Sequence, residues 1–485
     1  MIDPSDEPGR GAFIFPLAAR LAVLLALLAI PLAVLAQGWQ PPDDALRHVA
    51  KAVSGRPWKD VVVTPTPLDL EPVHAGWHAL LAAVYHTTGC TPDLLLVFGV
   101  SILFIAFALS GLAFVERPES WAFALLVLSL TDAQLARLLL GRPFVVEMAA
   151  VVVMLFAWPR LDEHPRSPTS ALAIIASVAL ATWMHTSWYL FAVPLAAVWI
   201  TGRWRTAFHL GVYACAGILL GACFGGHPYD FLYNTFWMNV GCMGRGLSGN
   251  ELVGEFQPSS GDPLALVAIG VMLIWGRVAN EREPDLFTDG AFVVALACWL
   301  LGFSVGRFWY DLGVPALAVW LARRADRLFA ASPALSGHKR FLFAAFVAAG
   351  LFGSFACNRG DRWTSGLRMM RLTASDPAAA GWLPDAGGVA YCDNETLFHR
   401  MFFDNPTAPW KYDPGWEITL APPESLEVYS NLNWTGHSFD AYRPWLAKMK
   451  PADRLILQGR RGLKDGTLGL QWRDFKSYSI GRLPR

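Results

Sequence analysis

The feature that most constrains this chain is a succession of apolar runs, several of them near the length of a bilayer crossing, separated by polar connectors. The runs fall at 12–36, 93–115, 119–131, 144–158, 170–184, 186–200, 207–224, 263–276, 287–306, 312–322 and 341–356. A helix needs about 20 apolar residues to cross the hydrocarbon layer, where helices satisfy their own backbone polar groups. The expectation is a polytopic α-helical membrane protein with about eleven transmembrane helices. The charge content supports it: 16% of residues are charged, against about 25% in soluble proteins. The third, fourth and tenth runs are short, and 170–200 reads either as two helices or as one broken element. The first run, Phe13 to Ala36, ends before Pro41-Pro42 without a small-residue cleavage site, so it is expected to stay as the first helix.

Charge suggests an orientation. Residues 323–340 carry Arg323, Arg324, Arg327, Lys339 and Arg340 against a single Asp326, and Arg203, Arg205, Arg277 and Arg282 lie in other connectors of the same parity. The positive-inside rule places these connectors in the cytoplasm. The N-terminus is then cytoplasmic, and 37–92, 132–143, 225–262 and 357–485 are outside. The expected division is a membrane domain over 1–356, with a long first outer loop at 37–92, and an extracytoplasmic soluble domain over 357–485. Strand-like runs at Gly388–Cys392 and Arg454–Leu457 beside turn residues make that tail a small α/β domain. Ala/Leu/Arg-rich usage suggests a bacterial inner membrane, with the tail periplasmic.

The 39 basic and 39 acidic residues balance, which gives no basic surface for nucleic acid. The seven Cys show no metal-binding spacing; a Cys357–Cys392 disulfide is conceivable on an oxidising side. Asn394-Glu-Thr and Asn433-Trp-Thr match glycosylation acceptor patterns by chance.

The polar residues that suggest chemistry follow the first span. Pro41-Pro42 stop the membrane helix, and a new helix begins near Asp43. Leu46, Val49, Ala50 and Val53 form one apolar face, while Asp44, His48 and Lys51 share the opposite one. This pattern predicts an amphipathic helix lying on the membrane surface. A purely structural reading also fits: Asp43 caps the helix, Asp44 favours its dipole, and Arg47 pairs locally. Asp132, with Arg137 and Arg142 beside it, lies in the next outer loop. His185 and Glu147 sit near span ends, as functional groups or as satisfied bundle residues. The Gly-rich 225–262 loop reads as a lid or as a plain connection. Trp410, Tyr412, Trp416 and Trp434 read as core or as sugar-stacking aromatics.

This arrangement resembles the GT-C glycosyltransferase superfamily, which includes protein O-mannosyltransferases, lipid A aminoarabinose transferases and oligosaccharyltransferase catalytic subunits. Asp43-Asp44 match the acidic motif that opens the family's first outer loop, and Asp132 matches a second acidic position. Glu71–Leu81 looks like the second surface helix. The chain departs from the family in its short spans and lacks the WWD-type signature of oligosaccharyltransferases. The resemblance implies transfer of a sugar from a polyprenyl-phosphate donor on the outer membrane face. Asp44 or Asp43 would be the general base. Asp132, Arg137, Arg142, His48, Arg245 and Arg307 would hold donor phosphate or substrate. A divalent cation, if present, would sit at Asp44 and Asp132. The implied partners are the lipid-linked donor, membrane lipids and other membrane subunits. A non-catalytic GT-C-like subunit of a larger complex, or a transporter or polysaccharide polymerase, are the other readings; the lack of internal repeats weighs against a transporter.

The orientation has a direct check. Alkaline phosphatase fused after Arg485 should be active and a cytoplasm-only fluorescent reporter dark; the reverse pattern inverts the topology.

Overall fold

A computed structural model describes residues 11–65, 69–131, 136–243, 257–259, 261–279, 286–368, 371–415, 417–434, 438–460 and 462–484. Asp132, Arg245, Arg282 and Trp416 lie outside the described residues. The helices used below are α1 (Gly11–Leu35), α2 (Asp44–Ser54), α3 (Trp58–Val61), α4 (Ala75–Thr88), α5 (Pro92–Leu112), α6 (Pro118–Leu128), α7 (Phe144–Glu163), α8 (Pro168–Met184), α9 (Ala192–Ile200), α10 (Trp204–Phe224), α11 (Pro228–Met243), α12 (Pro263–Val278), α13 (Gly290–Gly302), α14 (Val314–Ala331) and α15 (Gly337–Ala356). Every apolar run of the sequence falls on a helix.

Among the described residues, α1, α5, α7, α10 and α15 are long and apolar enough to cross a membrane; α6, α8, α12, α13 and the 188–200 stretch are shorter apolar helices. Their starts follow local chemistry. Thr91 before Pro92 accepts from Leu94 N, Ser167 before Pro168 from Ser170 N, and Asp262 before Pro263 from Leu264 N. In each, a side chain caps the orphan N–H groups and proline occupies the first helical turn, where no donor is lost. Residues 170–200 form two helices, broken at His185–Ser187. The basic stretch from 323 is not all connector. Helix α14 continues to Ala331 because Leu328 and Phe329 extend its apolar face into the core.

The most enclosed helix is α7, with 83% of its apolar window buried, whereas only 33% of that in α10 is. Phe208, Val212, Leu219 and Phe224 on α10 face outward, as a lipid-facing helix requires. Polar groups sort to the two ends of the bundle. At one end Arg340 pairs with Glu119 at 2.7 Å, and Asp326 accepts from Arg117 N and Ser120 Oγ, both at 3.0 Å. At the other, here the head end, Gln37 Nε2 donates to Ala356 O at 2.8 Å and Arg142 meets Asp43.

The C-terminal part holds a five-stranded sheet: β1 (Val389–Cys392), β2 (Lys411–Asp413), β3 (Arg454–Gln458), β4 (Gln471–Phe475) and β5 (Tyr478–Arg482), in the order β2-β1-β3-β5-β4. Strands β1, β2 and β3 run parallel; β5 pairs antiparallel with β3 and β4. Helix α16 (Glu395–Asp404) crosses over after β1. Tyr412 and Trp410 are buried in this core. Asn394 is spent as the cap of α16, accepting from Leu397 N at 2.8 Å.

The long loop after α1 is fastened to this sheet. Val62 bridges Tyr412 in parallel, Val63 N donates to Tyr412 O at 2.9 Å, and Thr64 Oγ1 donates to Leu420 O at 2.9 Å. The loop thereby covers the edge strand β2, whose backbone would otherwise stay open. Arg56 adds guanidinium bonds to the carbonyls of Ala408 and Trp410.

Three expectations change. Helix α2 is not half-open to water. Ala45 to Ala52 are all buried, Arg47, His48 and Lys51 included, because α4 covers one flank and α16 the other. Residues 228–243 of the supposed open loop form a helix. Its Tyr229, Tyr233 and Trp237 recur every four residues and face outward, an interfacial aromatic stripe. Cys357 and Cys392 are both free: Cys392 is buried in β1, while Cys357 is exposed just past α15.

Close backbone approach between α8 and α10 depends on glycine. A Cβ at Gly221 would stand 2.5 Å from the Ala179 carbonyl oxygen. Gly221→Ala should therefore part the two helices and cost roughly 1–3 kcal/mol, read as a lower Tm of the detergent-purified protein.

Candidate functional site

A cavity of about 290 Å³ opens at the head end, between the bundle, the first long loop and the sheet unit. The break after α1 positions its first wall. Pro41-Pro42 turn the chain, and Asp43 and Asp44 enter at the start of α2. Asp43 does not cap that helix; its Oδ2 accepts from Arg142 at 2.8 Å. Asp44 Oδ1 accepts from Arg47 Nε at 2.6 Å, and its Oδ2 lies 3.5 Å from Arg142 Nε. The local-pairing reading of Arg47 is thus right, and incomplete, since the pair sits on the cavity wall.

Electrostatics follow from these contacts. Burial alone would raise the proton affinity of Asp44. The charges of Arg47 and Arg142 and the bond from Arg47 outweigh it, and hold the carboxyl well below its ordinary value. Asp44 is therefore a carboxylate at neutral pH, clamped by two guanidiniums.

A second layer supports this wall. His48 Nδ1 lies 2.9 Å from His78 Nε2, and Lys51 donates to Glu71 at 2.9 Å. Burial, before any neighbouring charge, keeps His48, His74 and His78 well below the ordinary imidazole value, so all three are neutral. His74 stacks on His185 with ring centroids 5.1 Å apart. His185, in the break between α8 and α9, has Nδ1 2.9 Å from Glu147 of α7. Arg307 approaches His185 Nε2 and Ser187 Oγ, each at 3.4 Å.

Arg307 is aimed by a wide turn at Phe308–Gly313, which leads into α14 and carries Asp311. Wide turns of this kind recur at functional positions. Asp311 is buried, accepts from Arg307 Nε at 2.8 Å, and also binds Arg137 Nε at 2.9 Å. Arg137 lies over the Phe144 ring at 4.3 Å.

The opposite wall comes from the sheet unit. Glu395 and Thr396, in the first turn of α16, and His399 one turn later line the cavity, with Glu417 beside them. His399 Nε2 stands 3.8 Å from Asp44 Oδ1 and joins the two walls. Burial pushes the His399 imidazole down to about 3, so it too is neutral. Burial pushes the Glu395 carboxyl well above its ordinary value, and the Glu417 and Asp44 carboxylates push it further.

Of the residues singled out from sequence, Asp43, Asp44, Arg142, His185 and Arg307 meet on this cavity. His48 and Arg137 stand one layer behind it, paired with His78 and Asp311. Asp132 and Arg245 lie outside the described residues. Arg47, His74, Glu395, His399 and Glu417 are lining residues that were not singled out. Arg47 was within reach, three residues after Asp44 and hence on the same helix face. No signal in the sequence joins residues 395–417 to residue 44. Among the described residues, no group of three His, Cys, Asp or Glu side chains is arranged to hold a metal ion. Asp44, engaged by two guanidiniums, does not fit a cation.

No protein-family model and no curated protein matches the sequence. Solved structures do match in fold. ArnT from Cupriavidus metallidurans, bound to undecaprenyl phosphate, aligns over 95% of this chain and 97% of its own, with TM-score 0.53 and 11% identity. The Archaeoglobus fulgidus oligosaccharyltransferase, tethered to an acceptor peptide containing the NVT sequon, aligns over 90% of this chain and 69% of its own, at 13% identity. Its TM-score of 0.43 is too low to bear on the fold. The chain has the GT-C membrane fold.

Asp311 holds two buried guanidiniums at once. Asp311→Asn leaves both uncompensated and should cost about 3–5 kcal/mol, measurable as a large drop in Tm against wild type in the same detergent.

Proposed function

We propose that this chain is a glycosyltransferase that moves a sugar from a polyprenyl-phosphate donor to an acceptor on the outer face of a bacterial inner membrane. The sheet unit would lie on that same face. The observation that carries the reading is the head-end cavity, where the carboxylates of Asp43 and Asp44 and the guanidiniums of Arg47, Arg142 and Arg307 share one enclosed space. Support comes from the likeness in fold to ArnT, which was solved with undecaprenyl phosphate.

The chemistry asks for two things in one place. The leaving phosphate gains charge as the sugar departs, and fixed guanidiniums stabilise it in a site shielded from water. The acceptor needs a base, and a carboxylate within hydrogen-bond reach supplies one. The ion pairs couple these roles. Arg47 and Arg142 are held by Asp44 and Asp43. A donor phosphate competes for the same guanidiniums, and a carboxylate that loses its cation regains proton affinity. Donor binding thus turns a clamped carboxylate into a useful base. The acceptor oxygen then forms its bond to the anomeric carbon as the carbon–oxygen bond to the phosphate breaks. The electron pair of that bond goes to the phosphate oxygen, and the acceptor proton goes to Asp44. Neutral His74 leaves the positive charge of this wall to the arginines. Arg137 and His48 hold the wall from behind, through Asp311 and His78.

Asp44→Asn keeps the shape of the side chain and removes its basicity. It should lower transfer of labelled sugar from an undecaprenyl-phosphate-linked donor by roughly 10²–10⁴-fold, and lower Tm as well, because the buried Arg47 loses its carboxylate. Asp43→Asn, which loosens Arg142, should lower transfer less. Near-normal transfer in both variants would make the pair structural and the chain a non-catalytic subunit.

A further inference from the structure

The two walls of the cavity have opposite character. The bundle side presents Arg47, Arg142 and Arg307, each already facing a carboxylate. The sheet unit presents Glu395 and Glu417. Glu395 is fixed in place. It opens a ten-residue helix whose N-terminus is capped by Asn394, and that helix is buried along Leu397–Phe403 between the sheet and α2. Its carboxyl accepts one backbone N–H, from Ile418. Its Oε1 is shielded from solvent and, among the described residues, has no hydrogen-bond partner. A buried acceptor without a donor is costly, and two like charges nearby add to the cost. Folding has nonetheless left that oxygen on the cavity wall.

A phosphate anion does not answer this feature, because it offers the Oε1 acceptor no hydrogen-bond donor. What answers it is a group that donates hydrogen bonds, a hydroxyl or an ammonium. A ligand that satisfies both walls is anionic at one end and rich in donors at the other. A lipid phosphate without its sugar satisfies only the arginine side.

We infer that Glu395, assisted by Glu417, is a specificity-determining residue through which the C-terminal unit reads the donor-rich sugar end of the bound lipid, while the bundle arginines hold its phosphate. This rests on the glycosyltransferase reading above. It assigns the sheet unit a direct part in choosing the donor. Sites that hydrogen-bond a substrate group discriminate strongly against an analogue lacking it, because the site's own polar atoms are then left unpaired.

The experiment uses the full-length chain in nanodiscs and three probes: undecaprenyl phosphate, undecaprenyl-phosphoryl glucose and its 2-amino-2-deoxy counterpart. Binding is measured by native mass spectrometry for wild type, Glu395→Gln and Glu417→Gln, each checked for an unchanged Tm. Wild type should bind at least one glycosylated lipid about 10-fold or more tighter than the bare lipid phosphate. Glu395→Gln should erase that preference and leave the Kd for undecaprenyl phosphate within about twofold of wild type. Glu417→Gln should narrow it. A preference for both glycosylated lipids marks hydroxyl reading; a preference confined to the amino sugar marks ammonium reading. The role of Glu395 is overturned if Glu395→Gln weakens all three lipids alike, or if the preference survives intact. Wild type that binds none of the three overturns the donor reading itself, and this inference with it.

Discussion

Charge buried away from water has to be matched, and the head end of this protein is organised by that requirement. Isolated ions in such surroundings carry penalties of several kcal/mol each. The chain meets this by distributing partners over distant segments. Asp43 and Asp44 of the first loop meet Arg142 from the next. Asp311 meets Arg137 and Arg307 together. Each pair ties two parts of the chain that hydrophobic packing alone would leave free to slide.

The same matching gives the cavity its chemical potential. Cations held by carboxylates can be transferred to a competing anion, and the carboxylates then change character. Structural ion pairs and reactive groups are in this view the same atoms in two states of occupancy. The neutral histidines fit the scheme, since a cluster of charged imidazoles would compete for the very anions the arginines hold.

Much of the bundle was legible in the sequence because its signal is local. An apolar run of membrane length becomes a helix whatever surrounds it, and Thr91-Pro92 or Asp262-Pro263 mark a start within two residues. The Asp43-Asp44 pair was legible through its place after a span. The environment of α2 was not. Its 3.6-residue pattern gave one apolar and one polar face, yet both are buried, because His78 of α4 and Glu71 take up His48 and Lys51, and α16 arrives from some 350 positions later to meet Asp44. The turn that aims Arg307 left no mark either, since Phe308–Gly313 falls mostly in the short connector between the runs 287–306 and 312–322. The Asn394-Glu395-Thr396 triplet, an acceptor pattern on paper, is a helix start with a cap and an acidic first turn.

The seam between the first long loop and the sheet has a bearing on biogenesis. Thr64 and Leu420, which bond across it, are separated by 356 positions, and Arg56 and Ala408 by 352. The ribosome has therefore delivered nearly the whole bundle to the bilayer before β2 exists to receive the loop. Through that interval Asp44 has Arg47 beside it and lacks the histidine that closes the cavity from the other side. Contacts of such long sequence separation form late and slowly. The wall bearing Glu395 is among the last parts of the cavity to be translated, so a nascent chain encloses this space only late in synthesis.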